Sequence, residues 1–368
     1  MAKLVCTSCG KTYSTNYKGF KCSCGGLLDL QFSAKFPIND IKNRKPTMWR
    51  YREAIPIENN EDVVSFNEGF TPLLPLFVNG KEVLVKQDHL FQTGSYKDRG
   101  ASVLISHAKE MGIKEIVEDS SGNAGAAIAA YTAKTGMKCD VYLPYKTSSA
   151  KISQIKAYFA IVHEIPGSRE SATRAVMKAA ENTFYASHVY NPYFLHGTKT
   201  FAYEVVEQLS WKAPDTVILP VGNGTLLLGA YIGFVDLLKA RIIEKIPKFI
   251  AVQAFNCAPL AVAFSKGLDA KKFDTKKTIA EGIAIAKPAR AKQIIDVVKK
   301  TKGHFITVKE SEIVQSLRWM AKKGHHVEPT AAATFAGLKK YVNEGIGEDE
   351  LIVSTITGHG LKDVETPE

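Results

Sequence analysis

Short apolar segments alternate with segments of helical periodicity along most of the chain, and this alternation limits the possible folds more than any other feature. Strands that are apolar throughout and separated by helices form parallel sheets covered on both faces, so the sequence predicts an α/β fold. Residues 37–60 are polar and irregular, which predicts a linker. The predicted strands are 82–87, 116–118, 139–143, 161–165, 216–220, 249–253, 304–308 and 351–354, and the predicted helices are 98–111, 124–135, 149–158, 168–181, 198–209, 225–240, 310–322 and 329–344.

The first 24 residues hold four of the six cysteines, Cys6, Cys9, Cys22 and Cys24. Two close thiolate pairs can converge on one tetrahedral ion, and in a reducing compartment such spacing favours metal over disulfides. The second pair is C-x-C rather than C-x-x-C, so a metal-free ribbon and disulfides stay open as alternatives. The pattern predicts a zinc-ribbon-like module over residues 1–35, with a structural rather than a catalytic metal.

Lysine and arginine number 48 against 37 aspartates and glutamates, giving a formal net charge of +11. Such a surplus suits an anionic ligand or nucleic acid. Residues 1–30 lack the clustered cations with aromatics that nucleic-acid binding needs, so we expect no nucleic-acid partner. No apolar stretch reaches the ~20 residues that span a bilayer, and the N-terminus has no signal-peptide core. We therefore expect no membrane association and a cytoplasmic location.

Ligands of open α/β folds lie where strands lead into helices, and four glycine-bearing loops have this placement. The first contains Lys97 at a predicted helix start, where a protonated ammonium is disfavoured; a neutral amine is what a Schiff-base lysine needs. The second, residues 120–125, reads S-S-G-N-A-G and opens an alanine-rich helix, which favours an anion such as a carboxylate. An ordinary surface lysine and an ordinary turn are the alternatives.

The third loop, residues 220–225, reads P-V-G-N-G-T, and its successive small residues can form a phosphate nest. It is neither a P-loop nor a dinucleotide fingerprint, so a compact phosphate-bearing cofactor fits better. The fourth loop follows the last strand and carries Thr357, whose hydroxyl can face a ring nitrogen. Together the loops offer an amine, a carboxylate cup, a phosphate nest and a hydroxyl.

The motifs G-S-Y-K-D-R-G, S-S-G-N-A-G, V-G-N-G-T and T-G-H-G-L-K-D, in this order, resemble those of fold-type II pyridoxal-phosphate enzymes, most closely threonine synthases. The segment E-G-F-T-P-L at 68–73 and the cysteine ribbon look like archaeal-type members. The resemblance implies two doubly wound open sheets and a homodimer. It also implies a ribbon over 1–35, a large cofactor-binding domain over 36–100 and 201–368, and a smaller domain over 101–200.

Carried over residue by residue, the resemblance implies a complete cofactor and substrate site. Lys97 would bind pyridoxal phosphate covalently and later act as a base at the substrate Cα. The phenolic oxygen would meet Asn123, and the ring nitrogen would meet Thr357. Ser120, Ser121 and Gly122 would hold the substrate carboxylate. The cofactor phosphate would be cradled by Gly222, Asn223, Gly224 and Thr225.

The chain departs from the threonine synthase pattern where that family binds the substrate phosphate. Ala124 replaces a threonine, Phe194 replaces an arginine, and His188 and Val189 replace an asparagine–serine pair. The leading hypothesis is conversion of O-phosphohomoserine to threonine. The alternative is serine or threonine ammonia-lyase activity, or β-replacement on an activated serine as in cysteate or cysteine synthesis. The candidates for an anion site built from other residues are Lys146, Lys151, His188, His196 and Lys199.

Overall fold

The computed structural model describes residues 2–145, 149–167, 169–267 and 275–362. Contacts divide the chain into a first unit, Met1–Gly69 with Lys97–Thr198, and a second unit, Phe70–Tyr96 with Lys199–Glu368. The sequence-based boundaries assign residues 36–69 to the larger domain, whereas by contacts these residues group with Lys97–Thr198. The physical reason lies in hydrogen bonds between the two segments, such as the one from Trp49 Nε1 to Ser102 Oγ at 2.9 Å.

The regular elements, interspersed with short 3₁₀ helices, follow one another in a fixed chain order. They are β1 (Lys3–Cys6), β2 (Thr12–Tyr13), β3 (Leu28–Gln31), α1 (Ile38–Asn43), β4 (Leu73–Val78), β5 (Lys81–Lys86), α2 (Lys97–Glu110), β6 (Glu115–Glu118), α3 (Asn123–Thr135), β7 (Lys138–Pro144), α4 (Ser149–Ala157), β8 (Ile161–Ile165), α5 (Arg169–Ala179), β9 (Phe184–Tyr185), α6 (Pro192–Thr198), α7 (Thr200–Gln208), β10 (Thr216–Pro220), α8 (Thr225–Lys239), β11 (Lys248–Ala254), α9 (Pro259–Lys266), α10 (Ala291–Lys300), β12 (Phe305–Val308), α11 (Glu310–Lys322), α12 (Pro329–Asn343) and β13 (Ile352–Thr355).

The N-terminal cysteine segment forms a small antiparallel sheet of order β2-β1-β3. Gly10 and Gly25 have φ angles of 73° and 82°, the left-handed region that glycine adopts without strain. Their amides donate to the carbonyls of Cys6 and Cys22, which closes a tight turn around each cysteine pair. The sheet therefore presents the four thiols from two knuckles.

Residues 37–60 are not the irregular linker that their polarity predicts. They contain α1 and a 3₁₀ helix, Met48–Ala54, and the side chains of Met48, Tyr51 and Ala54 are fully buried. Met48, Ile55 and Ile57 belong to the hydrophobic core of the first unit. These few apolar side chains fix the segment against that core although most of its residues are polar.

The four-stranded sheet of the first unit is parallel throughout, with strand order β8-β7-β6-β9, as the apolar strand pattern predicts. The sheet of the second unit has the order β12-β11-β10-β13-β5-β4 and is mixed, because β4 pairs antiparallel with β5. The prediction of purely parallel sheets is wrong at this edge. Asn79 and Gly80, with φ angles of 50° and 85°, form the two-residue turn that joins β4 to β5.

No helix in the described part of the chain is long and apolar enough to cross a bilayer.

Candidate active site

The first unit places the S-S-G-N-A-G loop at a reversal of strand order. From β6 the chain winds through β7 to β8 on one side, and then returns to place β9 on the other side of β6. Ligands of open α/β sheets bind at such switch points, beyond the carboxyl ends of the strands. The loop that follows β6 therefore has the position expected of a binding loop.

Within this loop, Ser120 is buried, whereas Ser121, Gly122 and Asn123 are partly accessible. The Gly122 amide lies 3.3 Å from Ser120 Oγ, and α3 begins at Asn123. A Cβ on Gly125 would collide with the Ser120 carbonyl, so this glycine lets the helix start close against the loop. The first amides of a 13-residue helix suit a carboxylate, which is the role expected of this loop.

Lys97 opens α2, and its side chain is partly accessible. Its Nζ lies 5.7 Å from the centre of the Phe194 ring, which is fully buried. A Cβ on Gly100 would overlap that ring, so the glycine one turn along α2 makes room for Phe194. The aromatic ring thus forms part of the surroundings of the lysine amine.

The second unit has its own reversal of strand order, between β10 and β13. The chain winds from β10 through β11 to β12, and β13 is then inserted between β10 and β5. The loops that follow β10 and β13 carry the predicted phosphate nest and Thr357, and they meet at this switch point. The sheet order thus explains why motifs more than 130 residues apart in sequence lie at neighbouring strand ends.

The phosphate loop is shaped by two glycines and held by its neighbours. Gly224 has a φ of 73° and precedes the first turn of α8, so the loop ends at a helix N-terminus. A Cβ on Gly222 would come within 2.9 Å of Ile283 Cα, which leaves no space for a side chain. Thr225 is buried, and its Oγ1 lies 3.1 Å from the Tyr96 hydroxyl.

Thr357 offers a buried hydroxyl that fits a ring-nitrogen partner. The residue is 2% exposed, and among the described residues its Oγ1 has no hydrogen-bond partner. Its carbonyl accepts a hydrogen bond of 3.1 Å from the Tyr96 amide. A buried polar atom without a protein partner is costly, so this hydroxyl is suited to a ligand acceptor.

The predicted site residues therefore form two sets, each at the switch point of one unit. Lys97 and residues 120–124 lie in the first unit, and residues 222–225 with Thr357 lie in the second. Sequence reasoning missed Tyr96, which precedes Lys97 and bonds both Thr225 and Thr357, because a tyrosine in a loop carries no local signal. It also missed Glu118, although its place at the end of β6 pointed to the site.

The four N-terminal thiols lie close together, with all Sγ atoms within 4.8 Å of one another. Cys6 and Cys24 are 3.5 Å apart, and Cys9 and Cys22 are 3.6 Å apart. Four sulfurs about 2.3 Å from a tetrahedral zinc lie roughly 3.8 Å from one another, so the spacing fits such an ion. The Cys24 amide and the Tyr13 hydroxyl lower the pKa of the Cys22 thiol to about 5. Against a hydrogen bond from the Gly26 amide, the neighbouring thiols raise the pKa of Cys24 to about 12, so the first thiol to ionise disfavours ionisation of the next.

Comparison with known proteins decides the family. The sequence model of the pyridoxal-phosphate dependent enzyme family matches residues 64–358. The threonine synthase of Methanocaldococcus jannaschii is 37% identical, covering 97% of this chain and 92% of that protein. The threonine synthase of Methanosarcina acetivorans is 34% identical, and the alignment covers 100% of this chain and 93% of that protein. The chain belongs to the pyridoxal-phosphate-dependent enzymes.

Within that family the chain is a threonine synthase-like lyase, since relatives of this name match it over most of its length. A solved structure, a pyridoxal 5'-phosphate-dependent aspartate racemase, shares the fold with a TM-score of 0.70. The racemase is 22% identical to this chain, and the alignment covers 91% of this chain and 97% of the racemase chain. The fold-type II assignment is thus confirmed, with a mixed rather than a parallel sheet in the second unit.

Proposed function

We propose that this pyridoxal-phosphate enzyme converts O-phospho-L-homoserine and water into L-threonine and phosphate. The observation that carries the proposal is the near full-length similarity to threonine synthases, at 37% identity over 97% of the chain. The loops after β6, β10 and β13 support it, because each one offers groups suited to one part of the cofactor or substrate. The amino-acid substrate is then the small-molecule partner of the enzyme.

The residues present fit pyridoxal phosphate. Lys97 would hold it covalently and Asn123 would bind its phenolic oxygen, while residues 222–225 would cradle its phosphate. The hydroxyl of Thr357, neutral and without a described protein partner, would face the ring nitrogen. When bound, the cofactor supplies an electron sink for negative charge that develops on the substrate. Ser120, Ser121 and Gly122 would orient the substrate carboxylate, and the Lys97 amine would move the proton at Cα.

A second candidate is favoured by Phe194 and Ala124. Both are buried and apolar, and they stand where the resemblance implies polar contacts with the substrate phosphate. Such a site suits an uncharged side chain, as in a serine or threonine ammonia-lyase, and β-replacement on an activated serine belongs to the same second candidate. The two reactions differ in their products, so one set of assays separates them.

The deciding assay offers O-phosphohomoserine, threonine, serine and phosphoserine separately, and follows phosphate, oxoacid and ammonia. We expect phosphate and threonine from the first substrate alone. Ammonia and an oxoacid from serine or threonine, without phosphate release from O-phosphohomoserine, would replace the proposal with the second candidate.

Lys97→Ala tests the assignment of the cofactor lysine. We expect kcat to fall about a thousandfold and borohydride to trap no cofactor on the protein, because the amine that binds and moves the proton is gone. Lys109→Ala, at the other end of the same helix, is the matched control and should behave as the wild type. Trapping on the variant at wild-type level would show that another lysine holds the cofactor.

We propose that Cys6, Cys9, Cys22 and Cys24 bind one structural zinc ion. The spacing of the four sulfur atoms supports this, and a closed set of four thiolates leaves no position for catalysis. Metal analysis of purified protein should give one zinc per chain, and Cys22→Ser should lose it. Cys139→Ser, which changes a buried cysteine outside the cluster, should retain the zinc. Loss of zinc from both variants would contradict the site.

We also propose that the enzyme is a cytoplasmic homodimer that needs neither nucleic acid nor a membrane. Thiols arranged for metal rather than for disulfides are typical of a reducing compartment, and this supports the location.

A further inference from the structure

Glu118 and His188 form a buried acid–imidazole pair at the switch point of the first unit. Glu118 is the last residue of β6, and His188 follows the neighbouring strand β9. The Glu118 side chain is fully buried, the His188 side chain is 7% exposed, and Nδ1 lies 3.4 Å from Oε1. The two side chains thus lie at the strand ends beside the S-S-G-N-A-G loop, where a ligand is expected.

Phe194 connects this pair to the lysine. Its ring packs edge-on against the His188 imidazole, with ring centres 5.8 Å apart, and lies 5.7 Å from Lys97 Nζ. Phe194 cannot itself bind an anion, so a negatively charged substrate end near Lys97 needs another cation or donor. The imidazole that packs against the Phe194 ring belongs to His188.

The other candidate cations either contact groups elsewhere in the fold or lie outside the described residues. Lys199 Nζ is fully buried and lies 2.9 Å from Asp236 Oδ2. His196 Nε2 lies 3.1 Å from the Leu30 carbonyl, which ties α6 to β3. The side chains of Lys146 and Lys151 lie outside the described residues. His188 is the candidate whose side chain contacts both Glu118, two residues before the S-S-G-N-A-G loop, and Phe194.

A carboxylate at Nδ1 has a defined effect on an imidazole. It selects the form in which Nδ1–H donates to the carboxylate, and it directs Nε2 to the opposite side of the ring. It also stabilises a positive charge on the ring, so that Nε2–H becomes a charge-assisted donor. Such a donor suits an oxyanion such as a phosphate ester.

We propose that His188, positioned by Glu118, binds the anionic end of the substrate side chain in place of the missing guanidinium. His188 is then a specificity-determining residue, and Glu118 is a positioning residue that acts through it. This inference rests on the proposed function, since it assumes an amino-acid substrate with a phosphorylated side chain.

The test compares two ligands that differ only in the phosphate. Holoenzyme is titrated with O-phospho-L-homoserine and with L-homoserine while the cofactor absorption is followed, and phosphate release gives KM and kcat. His188→Asn keeps a donor toward Glu118 but removes the far nitrogen, whereas His188→Gln places an amide near the Nε2 position. His163→Asn is the control, because His163 pairs with Asp140 at 2.5 Å in the same sheet but within β7 and β8.

We expect wild-type enzyme to bind the phosphorylated ligand more tightly, and His188→Asn to reduce that preference about tenfold or more, with L-homoserine affected less than twofold. KM should rise more than kcat falls, His188→Gln should recover part of the preference, and Glu118→Gln should reduce it to a smaller degree. His163→Asn should match the wild type. A purely structural role would change both ligands alike.

The inference is overturned if His188→Asn keeps the wild-type preference, if it weakens both ligands equally, or if wild-type enzyme has no preference. Should His188→Asn fail to fold, Glu118→Gln is judged by the same ratio. Failure of the proposed function has a separate sign, which is no phosphate release by wild-type enzyme whatever the binding ratio.

Discussion

At the scale of single residues, the position of Lys97 depends on how closely α2 approaches α6. Two glycines permit this approach: Gly100 faces the Phe194 ring, and Gly197 faces the backbone carbonyl of Arg99. Neither has a positive φ, so what they provide is space rather than an unusual backbone conformation. The start of α2 is therefore held by contacts that a single methyl group would disturb.

Gly197→Ala should destabilise the protein by roughly 1–3 kcal/mol, because the new Cβ would meet a backbone carbonyl that cannot rotate away. Gly347→Ala is the control, since its Cβ would meet no atom within 4 Å and its backbone is exposed. Urea unfolding of both variants measures the difference. A Gly197→Ala protein as stable as the control would mean that α6 can shift away from α2 at no cost.

Lys97 and the glycine loops were predictable because their chemistry is local: a few adjacent residues define each motif. The Glu118–His188 pair was not predictable in this way. Its members are 70 residues apart and meet only because β9 pairs with β6 on the side opposite β7. Long-range strand order therefore decides which polar residues share a site.

At the scale of elements, periodicity predicted the long helices closely and the edges of the fold poorly. The predicted helix 310–322 coincides with α11. Strand β4 was missed because its sequence, L-L-P-L-F-V, has no strict alternation and contains a proline. Helix α6, with seven residues, is too short for a periodic signal. The Asn-Gly turn at 79–80 was the available signal for the missed hairpin.

The short 3₁₀ helix Asp88–Leu90 after β5 should make the protein sensitive to acid. Burial, with additional repulsion from His359 and His325, lowers the pKa of His89 to about 4, although Asp88 opposes this. In the unfolded chain the pKa is about 6.5, so between these values the unfolded form binds more protons. The contribution of His89 to stability is therefore present above pH 6.5 and is lost as the pH falls toward 4.

From pH 7.5 to 5.5 this histidine should reduce the free energy of unfolding by about 1 kcal/mol. His89→Asn, which does not titrate in this range, should show a correspondingly smaller decrease. Urea unfolding at the two pH values, on both proteins, gives the comparison. Equal decreases would show that His89 is accessible to protons in the folded state.

At the scale of the whole molecule, the chain passes between the two units at Gly69, Tyr96 and Thr198. Lys97 is the first residue after the second of these passages. The residue before it, Tyr96, bonds the loops after β10 and β13. Local sequence patterns contain no signal for these passages, because they follow from packing among distant segments.

The edge strand β4 supports the proposed homodimer. Phe77 is 59% exposed and Leu74 is 46% exposed, so each face of this edge strand carries one accessible apolar side chain. Edge strands that carry exposed apolar side chains and few charges favour pairing with another chain. A stable dimer needs about 800 Å² of buried surface on each subunit, so these side chains would form one part of a larger interface.

Phe77→Asp should therefore convert a dimer into a monomer, because a charge placed in an apolar contact loses its hydration without gaining a partner. Sedimentation velocity at micromolar concentration measures the change. Phe159→Asp is the control, since Phe159 is 91% exposed in a turn of the first unit and should leave the dimer intact. A monomeric wild type would contradict the dimer itself, and a dimeric Phe77→Asp would place the interface away from β4.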